Sequence, residues 1–326
     1  MNFFLRRSLC PWRVPYALLL GLLSISPLQA QYFISDQGTD AYPPNAQAIS
    51  EYNFDGTPIN TSLISGLSNP GSMAISGSDL FVAVAGSGTI QEYTTSGNLV
   101  NASLITGVTP SSIAVSGSDL FVLNWYTGTI GEYTTSGVTI NASLITGLRD
   151  PKAIAISGSN LFVTDSDDSE VTQGVVREYS TSGALINPTL ISGLNNPWGI
   201  AISGSDIFVL QRGIPEESSI ISDYTTSGDL VNASLASVAT TNAINSFTVI
   251  GSNLFTLDVK DGNVGVSDYT TSGTLVNFAP MPNLDSTNVG GIAVIEPVPE
   301  PSTWGMILAG LGLLIFWGTG PHFRRE

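Results

Sequence analysis

Side chains able to do chemistry are scarce in this chain. It holds one histidine, His322, and one cysteine, Cys10, each close to an end of the sequence. The long stretch between them has no imidazole and no thiolate. That removes Ser-His-Asp and Cys-His nucleophilic catalysis and the usual nitrogen and sulfur ligands of zinc and iron. Carboxylates remain, including pairs of the kind that hydrolyse glycosides. The densest acidic run is Asp165-Ser166-Asp167-Asp168-Ser169-Glu170. Asp165, Asp167, Asp168 and Glu170 are candidate ligands for calcium, a hard cation that gathers about six to eight oxygens. The run lacks the glycine and the distant glutamate of an EF-hand, so a solvated acidic loop is its plain alternative. Trp125, Tyr126 and Trp198 are the other candidates, because aromatic planes stack on sugar faces at low entropic cost.

Charge narrows the partners. Ten Lys+Arg face 26 Asp+Glu, a formal net charge of −16 over 326 residues. Nothing here could neutralise a run of phosphates, so nucleic acid is not a partner. Charged residues make up 11% and hydrophobic residues 42%. That balance is compatible with a large core and not with global disorder.

The elements that would position these residues come from a repeat. Ala74-Ile75-Ser76-Gly77-Ser78-Asp79-Leu80-Phe81-Val82 returns at residues 114–122, 155–163 and 201–209, with a degenerate copy at 248–256. A second unit, Glu92-Tyr93-Thr94-Thr95-Ser96-Gly97, travels with it. Its tyrosines, Tyr52, Tyr93, Tyr133, Tyr179, Tyr224 and Tyr269, are spaced by 41, 40, 46, 45 and 45 residues. Each copy reads as four short strands, in the first whole copy residues 72–76, 79–83, 89–94 and 99–105. Ser-Gly-Ser-Asp supplies a tight hairpin between the first two. No window between the ends carries a helical period. Four strands per repeat of this length is the pattern of a β-propeller blade.

Closure is expected from the two ends of the repeat region. Residues 32–36 read as a second strand lacking a first, followed by strands at 48–53 and 61–64. Residues 291–295 match the first strand of the other copies. The expected fold is all-β: a six-bladed propeller over residues 31–297, with one blade split 3+1 between the ends. The sequence Asn196-Pro197-Trp198-Gly199-Ile200-Ala201, with Ile207-Phe208-Val209 after it, resembles the NHL-type propeller repeat. The chain departs from that family in its short Ser-Gly-Ser turn. It also lacks, in most copies, the aspartate that closes strand two; only Asp165 and Asp258 stand near that position. Lyases and lactonases on NHL-like propellers use histidines or a clustered metal site, and sialidase-type propellers use an arginine cluster. The repeats offer only Arg149, Arg177 and Arg212, so the resemblance implies no enzyme.

Residues 1–30 read as a secretory signal. Arg6, Arg7 and Arg13 precede a short apolar run, and a small-residue stretch ends at Ala30. At the other end, Val298-Pro299-Glu300-Pro301-Ser302-Thr303 precedes a 15-residue apolar stretch (304–318) and then Arg324-Arg325. That stretch is short of the roughly 20 residues that span a bilayer comfortably. The order of Pro-Glu-Pro, hydrophobic helix and terminal arginines over residues 298–326 resembles the PEP-CTERM sorting signal of Gram-negative bacteria. The resemblance implies recognition of Pro299, Glu300 and Pro301 by an exosortase and transient anchoring in the inner membrane. Delivery to the surface or the exopolysaccharide matrix would follow. Basic residues after the helix leave the bulk of the chain outside.

Comparing the repeats with each other gives a last expectation. The Ser-Gly-Ser and Thr-Ser-Gly turns hardly change from copy to copy and share one face of the ring. The connections between strands two and three vary and share the other face with the inter-blade links, which bring Arg149, Asp150, Lys152 and Trp198. Individuality, and with it binding, collects there. The expected role is non-enzymatic: binding of exopolysaccharide or another surface protein, or a structural place in the matrix. No cofactor beyond calcium is implied. A carboxylate-dependent glycan-active enzyme is the alternative.

Overall fold

The computed structural model describes residues 31–37, 47–166, 174–212, 218–239, 244–260, 263–281, 284 and 289–295. Every regular element among them is a β-strand. The segments read as an export signal (1–30) and a sorting signal (298–326) lie outside the described residues.

The first strands are β1 (Gln31–Asp36), β2 (Ala48–Asn53) and β3 (Pro58–Ser65). Blade 1 comprises β4 (Pro70–Ser76), β5 (Asp79–Val84), β6 (Thr89–Thr94) and β7 (Leu99–Thr106). Blade 2 comprises β8 (Pro110–Ser116), β9 (Asp119–Asn124), β10 (Thr129–Thr134) and β11 (Thr139–Ile145). Blade 3 comprises β12 (Ala153–Ser157), β13 (Asn160–Ser166), β14 (Gly174–Ser180) and β15 (Leu185–Leu194). Blade 4 comprises β16 (Pro197–Ser203), β17 (Asp206–Arg212), β18 (Ser218–Thr225) and β19 (Leu230–Ala239). Blade 5 comprises β20 (Ser246–Ile250), β21 (Asn253–Lys260), β22 (Asn263–Thr270) and β23 (Leu275–Pro280). The last strand, β24 (Val289–Ile295), joins the first three in a sixth sheet of order β24-β1-β2-β3. Innermost strands touch in the cyclic order β24, β4, β8, β12, β16, β20 and back to β24. The protein is a six-bladed β-propeller.

Alternation along strand two explains why the blades stack. Phe81 and Ala83 of β5 face blade 2 and join one apolar cluster, while Leu80, Val82 and Val84 face blade 6 and join another. The period of two therefore buries both faces of every blade. The core is accordingly six inter-blade clusters, each built from two neighbours. Phe33, Phe81, Phe121, Phe162, Phe208 and Phe255 hold equivalent places and are all buried. The repeated tyrosines serve the same interfaces; Tyr93, for example, packs with Phe33 and Ile49 of blade 6.

Two glycines show why the turns barely vary. Gly77, at φ 61, is the first loop residue between the paired Ser76 and Asp79, where a type II′ hairpin requires a positive φ. Gly97, at φ 82, also lies so near blade 6 that a Cβ would sit 2.8 Å from the Leu63 carbonyl oxygen. Each turn between strands three and four is thus seated on the preceding blade.

Contacts near the axis tie neighbouring blades together. The amides of Ile113 and Ile154 donate to the hydroxyls of Ser72 and Ser112, each in the blade before. Between blades 6 and 1 the link is Ser35, which donates to the Gly71 carbonyl (2.9 Å) and accepts from the Gly291 amide (2.7 Å). Glycine at 290 and 291 allows this approach. A Cβ there would meet the Pro70 and Gly71 carbonyl oxygens at 2.7 and 2.8 Å.

Candidate functional site

The six innermost strands surround an axial cavity of about 520 Å³. One register position of each strand, the residue after the first in β4, β8, β16 and β24, lines it. Read in ring order, the six residues are Gly71, Ser111, Lys152, Trp198, Asn245 and Gly290, Lys152 and Asn245 standing just before β12 and β20. The ring is therefore lopsided. Blades 3 to 5 present a cation, an indole and an amide, whereas blades 6 to 2 present two glycines and a serine. Trp125, just past the end of β9, completes the lining on the small-residue side together with Gln37 and Ala85.

Trp125 and Trp198 thus meet at one cavity although 73 residues separate them in sequence. Trp125 is 52% exposed and packs edge-on against Tyr126, with ring centroids 5.8 Å apart. Tyr126 is 76% exposed and does not line the cavity. Trp198 is less open, at 37%. The Arg212 guanidinium lies 3.9 Å from its ring centroid and Lys152 Nζ 5.4 Å, so cations hold the indole in place. These cations are themselves anchored. Lys152 Nζ donates to Asp150 at 2.6 Å, and Arg212 Nη2 donates to the Asn245 carbonyl at 3.4 Å. Ser111 Oγ, in the same lining, is buried and makes no hydrogen bond to the described residues. Asn245 and Ser111 escape notice in the sequence because they look like unrelated link residues, whereas Lys152 is already placed on the variable face. Superposing the repeats on their Ile-Ala cores brings all six lining residues to one register.

Asp165 has a different place from that of a loop ligand. It is fully buried, the last but one residue of β13. Its Oδ1 accepts from the amides of Arg149 (3.1 Å) and Asp150 (3.0 Å), and its Oδ2 from Arg177 Nε at 2.9 Å. Oδ1 thus fastens the link between blades 2 and 3, and Oδ2 is paired with Arg177 of β14. Asp167, Asp168 and Glu170 lie outside the described residues. Among the described residues no group of three or more His, Cys, Asp or Glu could hold a metal ion.

The same strand-two position recurs around the ring with other residues. Asn124 Oδ1 accepts from the Thr109 amide and Gln211 Oε1 from the Asn195 amide, each fastening the link that enters its blade. Asp36 and Asp258 occupy the place in blades 6 and 5, and Val84 alone lacks an acceptor. The closing acceptor that seems missing from most repeats is therefore present in five of six blades.

Carboxylates at the start of the outer half of each blade lie elsewhere. Glu51, Glu92, Glu132, Glu178, Asp223 and Asp268 pair across strands with Asn60, Asn101, Asn141, Asn187, Asn232 and Asn277. Burial, with a further push from Asp206, raises the Asp223 carboxyl to about 6. Burial also raises Glu51, Glu92, Glu132 and Asp268. None of these groups lines the cavity. The paired asparagines are structural: Asn60, Asn101, Asn141, Asn187 and Asn232 each accept from the amide two residues on.

Solved structures with this architecture agree on the fold. A chain of a nidogen–laminin complex superposes with a TM-score of 0.62 at 14% identity, over 82% of this chain and 99% of that one. A gluconolactonase of Xanthomonas campestris gives 0.54 at 18% identity, over 67% and 77%. Hydrazine synthase of Kuenenia stuttgartiensis gives 0.52 at 17% identity, over 72% and 71%. These likenesses define a propeller and nothing narrower. Residues 297–319 match the PEP-CTERM protein-sorting motif. The chain therefore carries a PEP-CTERM sorting signal behind a six-bladed propeller, which marks it for export and for sorting at the membrane. No curated protein matches the sequence.

Proposed function

We propose that this is an exosortase-sorted surface or matrix protein whose propeller binds glycan, without catalysis, at the mouth of its axial cavity. One observation carries the reading: Trp125 and Trp198, from different blades, line a single cavity with Lys152, Asn245 and Ser111. Indoles offer apolar planes for sugar rings, and the amide, hydroxyl and ammonium offer hydrogen bonds to sugar hydroxyls. Lys152 is the one titratable side chain in the described lining, and it is paired with Asp150. The gluconolactonase likeness carries no activity over, at its level of identity. In the same reading a signal over residues 1–30 directs export, and pairing of β24 with β1 shuts the ring after synthesis. The exosortase then acts near Pro299, Glu300 and Pro301, and the mature protein reaches the surface or the exopolysaccharide.

The second reading is a structural matrix component, favoured by the cations that brace Trp198. One experiment separates the two. Affinity for the producer's own exopolysaccharide is compared for wild type, Trp125→Ala and Trp198→Ala. Loss of binding at unchanged melting temperature supports the glycan site. Unchanged binding, or a loss of stability in its place, makes the indoles structural caps. Replacing Pro299-Glu300-Pro301 with alanines tests the sorting step separately: an unprocessed, membrane-retained chain is expected, and an unchanged mature mass refutes it.

A further inference from the structure

The outer strands pose a problem that the cavity does not explain. Among the described residues, each of the six sheets ends in a strand with no neighbour: β3, β7, β11, β15, β19 and β23. Exposed sheet edges invite association, and proteins usually guard them with charges, lysine above all. This chain does the reverse. None of its 10 Lys+Arg and 26 Asp+Glu falls in any of the six outer strands. Each strand instead carries an exposed apolar side chain within its first two residues; Leu99 and Val100 are 57% and 53% exposed, Leu230 and Val231 58% and 57%. The turns before these strands leave them at the perimeter, away from the cavity.

We infer that this rim is a self-association surface, through which copies of this chain meet side by side. The occupant follows from charge and repetition. Two copies of net charge −16 repel over most of their surface, and the uncharged strands are where they can approach with least repulsion. A charged partner finds nothing there to pair with. The strongest match is between β7 and β19, which carry the same hexapeptide, Leu-Val-Asn-Ala-Ser-Leu, at residues 99–104 and 230–235. They belong to blades 1 and 4, and so stand on opposite sides of a six-bladed ring. Contact of one copy's β7 with the next copy's β19 is heterologous and does not close, so it extends as a row.

The contact is made by side chains and not by a continued hydrogen-bond ladder. In both strands the asparagine occupies the amide two residues on (Ser103 and Ser234), and the register shifts there. The register shifts at Val100 and Val231 as well, so the bulged edge is closed to strand addition while the Leu and Val side chains stay exposed. In β15, Pro188 replaces the alanine of the hexapeptide and its carbonyl accepts from Arg177, which makes that edge the poorer one. Few side chains meet at one junction, well below the roughly 800 Å² per partner of a standard interface, so each junction is weak and rows lengthen as concentration rises.

The test uses the processed protein purified from cells that export it, in sedimentation velocity over a wide concentration range. Wild type is expected to form a series of species that lengthens with concentration. Val100→Lys and Val231→Lys, each alone, should stay monomeric at concentrations at least about tenfold above those at which wild type associates. Mixed together they should form pairs and nothing longer, because each supplies the strand the other has lost. Their melting temperatures, read beside wild type, should be unchanged. A wild type that stays monomeric, or variants that associate like wild type, overturns the inference. Association of either variant alone, or a mixture that stays monomeric, also overturns it.

Discussion

Replacing Ser35 with alanine probes how the ring is shut. Ser35 is fully buried where three strands from distant parts of the chain converge. Its hydroxyl accepts from the amide of Gly291 in β24 and donates to the carbonyl of Gly71 in β4. Removing one oxygen opens almost no cavity, so the cost is that of the groups left behind. A buried amide and a half-buried carbonyl each lose a partner, at up to about 1–3 kcal/mol apiece. Neighbouring carbonyls and slight relaxation recover part of that, leaving a loss of about 2–4 kcal/mol, which is large against a domain's margin. For a domain of this size the melting temperature should fall by roughly 5–15 °C. Ser50→Ala is the matched control. Ser50 is also buried, but its hydroxyl donates to Thr61 and meets the Tyr52 hydroxyl within the same blade, so about 1 kcal/mol is expected. Denaturant titration of the two variants beside wild type gives the free energies. A loss for Ser35→Ala no greater than for Ser50→Ala would show that this hydroxyl does not secure the junction of blades 6 and 1.

Two further outcomes follow from buried carboxylates. The Asp223 carboxyl is raised to about 6, so the fold favours its protonated form. Its contribution is fully present below the unfolded value near 3.9 and is lost as pH rises through about 6. The melting temperature should therefore be higher at pH 5 than at pH 7.5. Asp223→Asn should reduce that difference more than Asp55→Asn, whose carboxyl is lowered by the Thr57 hydroxyl and amide; a melting temperature that climbs between pH 5 and 7.5 contradicts the assignment. Asp165→Ala strands the amides of Arg149 and Asp150 and removes the partner of Arg177. A loss of about 3–5 kcal/mol is expected, equal with calcium or a chelator present. A loss seen with calcium present and absent with a chelator would return Asp165 to the role of a ligand.

The sequence by itself determined the blade. An apolar run such as Leu80-Phe81-Val82, a Gly-containing turn at each Ser-Gly-Ser, and recurrence at intervals of 40 to 46 residues are local properties. They need no knowledge of where the rest of the chain goes. The sequence also separated an invariant face from a variable one, because insertions accumulate where packing does not constrain length, and it put Trp125 and Trp198 on the variable face. Tertiary structure decided what those residues touch. Asp165 sits next to an acidic run and reads as part of it, yet the strand ends only after Ser166, and burial turns its carboxylate inward to the link and Arg177. Asn124 and Gln211 do the same work as Asp165, which type matching hides, since what the position requires is an acceptor oxygen at one point in space. Trp198 reads as an open plane, but Arg212 from the next strand and Lys152 from the preceding blade lie against it. Lys152 is 46 residues away, so the distance between it and Trp198 is set by how two blades pack and not by anything local to either. Ring closure fixes such distances, because it brings one register position from six separate repeats to a common axis.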